Sequence, residues 1–310
     1  MKILHNKVSN VELKNKLITD NTKRITVSFY KYFFIKNTTK FRNNIYCTFN
    51  KLKIFGRIYI ANEGINAQIS IPENKFDIFK KILYSKYNEL YNIRINIALD
   101  NKNSFWVLKV KVRPYIVNDG IKNVKFNILN IKKGKYLNAK ETNIMCENHN
   151  TIFVDVRNYY EYNIGHFFNA INIPSITFRQ QMKNLVKYLN KFKNKKIVLY
   201  CTGGIRCEKA SAWLLFNEFK NIYQIEGGII GYYRQTKNKG ISCKFIGKNF
   251  VFDHRLSESI TDDILGNCYR CKSLCDIYRN CINKKCNKLF IQCDTCYIRF
   301  NGYCSLSCNK

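Results

Sequence analysis

The pattern of apolar and polar positions divides the chain into three stretches. In the first, "RITVSFYKYFFI" is a strand candidate, and "TKFRNNIYCTFNKL" has helical apolar spacing. "GRIYIANEGINAQISI" then holds two strand-like runs joined by Asn62, Glu63 and Gly64, a hairpin signal. Pro72 opens "ENKFDIFKKILYSKY", apolar at every third or fourth position, and "FWVLKVKVRPYIV" alternates as a strand does. The order β-α-β-β-α-β predicts a ferredoxin-like domain over residues 25–117, preceded by an N-terminal extension, residues 1–24.

A polar stretch, "NDGIKNVKFNILNIKKGK", reads as a linker over 118–135. From 136 to 240 the pattern becomes α/β. "NTIFVDVR" and "NKKIVLYC" are short, fully apolar strand runs, as a parallel sheet covered on both faces requires. "FRQQMKNLVKYLNKF" and "EKASAWLLFNEF" are amphipathic helices, and "IYQIEGGIIGYY" carries a further strand that ends in Gly227 and Gly228. A cysteine-rich segment occupies 241–310. The expected fold is therefore multidomain, α+β followed by α/β.

Composition narrows the function classes. The 310 residues are 46% hydrophobic, typical of a soluble globular protein with a packed core. No apolar run approaches the roughly 20 residues that span a bilayer. The start, "MKILHNKVSNVELKNK", has no apolar core of a secretory signal, so the expectation is a cytoplasmic protein without membrane contact. The net charge of +32 predicts a polyanionic partner, most simply nucleic acid. Part of the excess follows from residue usage rich in Lys, Asn, Ile, Tyr and Phe with only three Pro, as in an AT-rich genome. The aromatic and basic positions of the first domain fit base stacking and fit an ordinary core equally.

The chemistry concentrates in "YCTGGIRCEKASAWL". Cys201 ends a buried strand, where open α/β sheets place their ligands. Gly203 and Gly204 allow backbone N–H groups to converge into an anion nest. The positive end of the following helix and the charge of Arg206 also favour thiolate over thiol. This turn builds an activated sulfur nucleophile. The Cys-x4-Arg spacing gives a smaller cradle than the Cys-x5-Arg of cysteine phosphatases and suits a single added sulfur, as in a persulfide. Cys207, at the start of the helix, is either packing or a resolving thiol.

"VDVRNYYEYNIGHFFNAINIP", "VLYCTGGIRCEKASAWL" and "EGGIIGYY" resemble the rhodanese domain. With "GRIYIANEGINAQIS", "FIGKNFVFDHRL" and the cysteine tail, the whole series resembles the tRNA uridine(34) hydroxylase family from about residue 25 to Cys308. The resemblance implies 5-hydroxyuridine synthesis at the wobble position with molecular oxygen as co-substrate, and the tRNA anticodon loop as partner. It also implies that Cys201 is the active-site cysteine and Arg206 the loop arginine. Asp155 and Arg157, the Asp-x-Arg that ends the first strand, would brace the catalytic loop through its backbone. His166 matches a signature histidine with a structural role. His254 departs from the pattern, since an acidic residue is expected there.

No GxGxxG opens a βα unit, and His5, His149, His166 and His254 lie far apart, so no flavin, haem or nucleotide motif is visible. A thiolate that adds to C6 of uracil would instead make C5 nucleophilic towards an oxidant. Nine of the 14 cysteines fall between Cys268 and Cys308. Cys268-x2-Cys271 and Cys293-x2-Cys296 have the spacing of one tetrahedral zinc site. Cys275, Cys281, Cys286, Cys304 and Cys308 are candidates for a second ion. An iron–sulfur cluster fits less well, since no ferredoxin spacing follows. Two alternatives remain: a sulfurtransferase that passes a persulfide from Cys201, and a non-catalytic RNA- or zinc-binding module.

Overall fold

The computed structural model describes residues 22–99 and 104–309, together with Leu4, Val8, Ser9, Glu12 and Leu13. The rest of the expected N-terminal extension, with His5, lies outside the described residues. The chain runs β1 (Arg24–Tyr32), α1 (Thr38–Lys51), β2 (Phe55–Ala61), β3 (Gly64–Pro72), α2 (Phe76–Lys86), β4 (Asn96–Ile97) and β5 (Leu108–Val112). These strands form one sheet in the order β4-β1-β3-β2-β5. The βαββαβ unit is present, but its last strand is the two-residue β4. "FWVLKVKV" supplies β5 instead, an added strand parallel to β2 on the opposite edge.

Strand alternation gives this sheet two unlike faces. Val27, Phe29, Ile58 and Ile69 are buried against Phe49 of α1 and Phe79 of α2, whose rings meet edge-to-face at 5.5 Å. On the other face the register lines up two polar rows: Ser28, Gln68, Arg57 and Lys109, then Tyr30, Asn66, Tyr59 and Lys111. The aromatics of this domain thus divide between core and polar face according to strand parity.

The second unit contains β6 (Lys135–Leu137), α3 (Ala139–Glu147), β7 (Thr151–Asp155), α4 (Tyr159–Tyr162), β8 (Gly165–Phe167), β9 (Ile171–Asn172), α5 (Phe178–Leu189), β10 (Lys196–Tyr200), α6 (Ile205–Phe216), β11 (Ile222–Ile225) and α7 (Gly228–Lys239). Its sheet, β6-β11-β10-β7-β9, is wholly parallel. Ile197 and Leu199 pack towards α5 and α6, while Val198 and Tyr200 pack towards α3 and α7. Both faces are covered, so the strands are apolar throughout. The apolar "IIGYY" is helix, because Gly227 and Gly228 take φ of +72° and +65° and end the strand path. The linker stretch is held down: Ile128 is buried, and Phe126 meets the rings of Trp213 and Phe216 at 5.1 and 5.7 Å.

After α7 come β12 (Phe245–Phe250), β13 (Ser257–Ser259), the ribbon β14 (Tyr278–Asn280) and β15 (Leu289–Ile291), and the short α8 (Asp294–Arg299). Strand β12 pairs antiparallel with β8, which joins this region to the α/β unit. Among the described residues, no helix is long and apolar enough to cross a membrane.

Candidate active site

Cys201 follows the last residue of β10 and is fully buried. Its side chain falls on the same side as Leu199, towards α6, because strand parity carries through to the first loop residue. Gly204, at φ +105°, then turns its N–H onto the Cys201 Sγ at 3.1 Å. A Cβ there would sit 2.8 Å from the Tyr30 hydroxyl, so both backbone angle and space call for glycine. Burial pushes the thiol up, but the Cys207 thiol, the Arg206 charge and the N–H groups of Cys207 and Gly204 outweigh it. Together they bring Cys201 down to about 6. Cys207 itself is pushed well up, by burial first and then by the neighbouring sulfur. It therefore stays a thiol and donates to the Cys201 thiolate.

The loop backbone is held from outside. Ile229 and Ile230, at the start of α7, donate their N–H groups to the carbonyls of Cys201 (2.9 Å) and Thr202 (3.2 Å). This close approach needs Gly228, where a Cβ would lie 2.4 Å from the Cys201 carbonyl. Asn96 of β4 donates to the Gly203 carbonyl at 3.3 Å, and Tyr32 donates to the Ile205 carbonyl at 3.3 Å. The first domain thus closes over the loop. Lys209 of α6, buried between Glu63 of the hairpin turn and Asp119, ties the two units together.

Arg206 points at a carboxylate. Its Nη1 and Nη2 donate to Glu161 Oε1 (2.6 Å) and Oε2 (2.8 Å), and Nη2 also reaches Thr202 Oγ1 at 3.2 Å. Glu161 is fully buried and accepts as well from the Asn158 N–H, capping α4. Its charge keeps Arg206 protonated against the cost of burial. Asp155 and Arg157 form a second buried pair one layer deeper. Arg157 grips Asp155 through Nε and Nη2, donates to the Gly165 carbonyl, and lies over the Tyr200 ring. The Arg157 guanidinium bonds to Asp155 and to β8, while α7, Asn96 and Tyr32 hold the loop backbone.

A cleft of about 370 Å³ lies between the polar face of the first sheet, the Cys201 loop and the 252–258 segment. Arg57, Tyr59, Asn66 and Gln68 form one wall, and Arg206 and Arg255 are on the other. Arg255 is fixed by Asp253 and Glu258. His254 turns away from this chemistry and stacks on Trp106 with ring centroids 3.4 Å apart. His166 stacks on Tyr162 at 4.0 Å, with Nδ1 2.9 Å from the Tyr162 carbonyl.

The tail gathers its cysteines into two sets. Cys268, Cys271, Cys293 and Cys296 place their sulfurs within 4.8 Å of one another, as do Cys281, Cys286, Cys304 and Cys308. Cys275 belongs to neither and packs with Phe250 and Tyr278.

Three domain families match in succession: the UPF0176 acylphosphatase like domain over 24–116, the rhodanese-like domain over 138–235, and the rhodanase C-terminal domain over 246–309. The tRNA uridine(34) hydroxylase of Pectobacterium carotovorum subsp. carotovorum is 52% identical over 309 residues, 99% of this chain and 86% of that protein. The tRNA uridine(34) hydroxylase of Buchnera aphidicola subsp. Acyrthosiphon pisum (strain APS) is 53% identical over 310 residues, 100% of this chain and 95% of that protein. The chain belongs to the tRNA uridine(34) hydroxylase family. A crystal structure of a rhodanese-like domain protein from Staphylococcus aureus is 30% identical and covers 32% of this chain and 90% of its own, with a TM-score of 0.27.

Within this tRNA uridine(34) hydroxylase family member, the residues singled out from sequence fall in three places. Cys201 and Arg206 share the cleft, Asp155 and Arg157 lie beneath it, and the four zinc candidates form a separate cluster. Sequence reasoning missed Glu161, although it stands inside "NYYEY", where Asn158 and Glu161 carry a capping-box spacing. It also missed the α7 N-terminus as the loop's anchor, for which the Gly227-Gly228 pair was the available signal.

Proposed function

We propose that this enzyme hydroxylates C5 of uridine 34 in tRNA, in the cytoplasm, with Cys201 as the reacting nucleophile and molecular oxygen as co-substrate. The observation that carries this reading is a thiolate-favouring cysteine on the floor of a cleft whose facing wall is a basic, amide-bearing sheet. The cleft volume is within the range of small-ligand sites, and a flipped base is its natural occupant. Asn66, Gln68 and Arg57 present hydrogen-bonding groups to the edge of such a base, and Tyr59 offers a stacking ring.

In the proposed chemistry the Cys201 sulfur adds to C6, and the electron pair of the C5–C6 bond moves towards C5. Carbon 5 then takes one oxygen atom from molecular oxygen, its proton leaves, and the C6–S bond breaks to restore the ring. The second oxygen atom leaves as water, with two electrons and two protons from a thiol reductant oxidised to disulfide. A persulfide on Cys201 has the same attacking position. The cluster of Cys268, Cys271, Cys293 and Cys296 fits a structural zinc. Four thiolates close the coordination sphere and leave no position for substrate.

The test is nucleoside analysis of tRNA from cells with and without the gene. Loss of 5-hydroxyuridine derivatives is expected. Loss of a thiolated nucleoside would make the protein a sulfurtransferase, and an unchanged profile would make it a binding module.

The polar sheet face also predicts how tRNA is held. Lys109 and Lys111 end the two rows and are exposed. Lys109→Glu with Lys111→Glu should weaken binding of an anticodon stem-loop. It should also flatten the slope of log K against log salt by about 0.7–0.9 per lost phosphate contact. Filter binding from low to high salt measures this. An unchanged slope would place the RNA elsewhere.

A further inference from the structure

The second set of tail cysteines has the geometry of a metal site in its own right. Among its sulfurs, Cys286 and Cys304 are 3.6 Å apart, and Cys304 and Cys308 are 3.5 Å apart. A disulfide would bring two sulfurs to about 2.05 Å. Zinc with Zn–S bonds of about 2.3 Å spaces its four sulfurs about 3.8 Å apart along the edges of a tetrahedron. The observed separations lie near the second value. The first set behaves alike, with Cys271 and Cys293 at 3.7 Å. Both sets also direct backbone N–H groups at sulfur: Cys304 donates to Cys281 at 3.4 Å, and Cys293 donates to Cys268 at 3.5 Å. Such donors stabilise thiolate rather than thiol.

We propose that Cys281, Cys286, Cys304 and Cys308 bind a second zinc ion, and that the two zinc sites interlock into one module. The proposal extends the zinc reading of the first cluster. Along the chain the ligand pairs alternate between sites: 268 and 271 belong to the first, 281 and 286 to the second, 293 and 296 to the first, 304 and 308 to the second. Neither site can close without enclosing ligands of the other in its loop. The β14–β15 ribbon spans the two. Cys281 and Cys286 lie in its connecting loop, where the Cys281 N–H continues the ladder to the Lys288 carbonyl at 2.8 Å. At its open end Cys293 follows β15, and the Tyr269 N–H reaches the Ile291 carbonyl at 2.8 Å. Helix α8 then begins on Cys293 and carries the chain towards Cys304.

The chemistry balances simply. Each zinc ion takes four cysteine sulfurs, whose four protons go to solvent, and leaves a site of charge −2. Arg270, Lys272, Arg279 and Lys288 from the same segment offset that charge. Closing one site shortens the loop the other must close, which lowers its entropic cost. Occupancy of each site should therefore strengthen the other.

The experiment is zinc quantification by native mass spectrometry on the full chain purified from zinc-supplied cells. Two ions per chain are expected for the wild type. Cys286→Ser with Cys308→Ser, which alters the more exposed ligands, should leave one. One ion in the wild type, retained in that variant and lost in Cys271→Ser, would overturn the second site and keep the first. No ion in any form would overturn both. Should the variant fail to fold, thiol titration of the wild type decides: eight of the nine tail thiols should be protected until a chelator is added. Four protected thiols would sink the second site. The interlock has its own readout, the rate at which a chromogenic chelator strips the first site. That rate should rise about tenfold in Cys286→Ser with Cys308→Ser, the scale of an ordinary coupling energy. An unchanged rate would show two independent ions.

Discussion

Cys201→Ser should reduce 5-hydroxyuridine formation by at least about 10³-fold while leaving the fold in place, because it removes the group proposed to attack the base. Serine is close to cysteine in size, so the packing against Leu199 and α6 survives. Its hydroxyl does not ionise near neutrality, however, so the nest, the Arg206 charge and the Cys207 donor have no anion to stabilise. The same forces predict the pH profile of the wild type. With Cys201 at about 6, the thiolate is the minor form below that pH and the major form above it. The rate constant kcat/KM should therefore rise about tenfold per pH unit up to about 6 and level off beyond it. Cys207→Ala removes a donor to the thiolate, so its rising limb should move to higher pH while the plateau persists. Single-turnover assays on an anticodon stem-loop, with nucleosides resolved by mass spectrometry, give both readings. A Cys201→Ser protein that modifies RNA at the wild-type rate would end the nucleophile assignment.

What the sequence made legible was what is local. The Cys201 loop is a strand, a glycine turn and a helix within a few residues, and each part carries its own signal. The cysteine pairs Cys268-x2-Cys271 and Cys293-x2-Cys296 are likewise compact. The partners of these features were hidden because they are distant or depend on packing. Glu161 meets Arg206 across 45 positions, and nothing in "IRCEKA" announces a carboxylate opposite. Asp155 and Arg157 were expected to brace the loop, and nothing in the Asp-x-Arg spacing showed that Arg157 would grip Asp155 itself beside the Tyr200 ring. The strand in "FWVLKVKV" was visible, but its edge was not, because alternation fixes the face of a strand and not its neighbour. Among the remaining tail cysteines, spacing could not separate Cys275 from the four that converge. That distinction belongs to the fold of the ribbon.

Glu161→Gln, beneath the cleft, should destabilise the protein strongly. The carboxylate is wholly enclosed, and the Arg206 beside it is nearly so. Glutamine keeps the volume but removes the charge, and an uncompensated guanidinium is left buried. Breaking a buried pair from one side costs about 3–5 kcal/mol, which at this size corresponds to a fall in Tm of roughly 6–20 °C. The cap on α4 is kept, since a glutamine Oε1 accepts the Asn158 N–H as Gln180 does for the helix that follows Thr177. Glu161→Gln combined with Arg206→Met removes both charges and should recover part of the Tm, since no unpaired charge is then left buried. Activity should not recover with it. Without the guanidinium the Cys201 thiolate loses a nearby positive charge, so the rising limb of the pH profile should shift upward in the double variant even though the fold is restored. Differential scanning calorimetry and the pH dependence of kcat/KM on the same samples separate the two effects. If the double variant regained both its Tm and a rising limb near pH 6, Arg206 would be a structural clamp alone, and the loop's N–H groups with Cys207 would suffice to hold the thiolate.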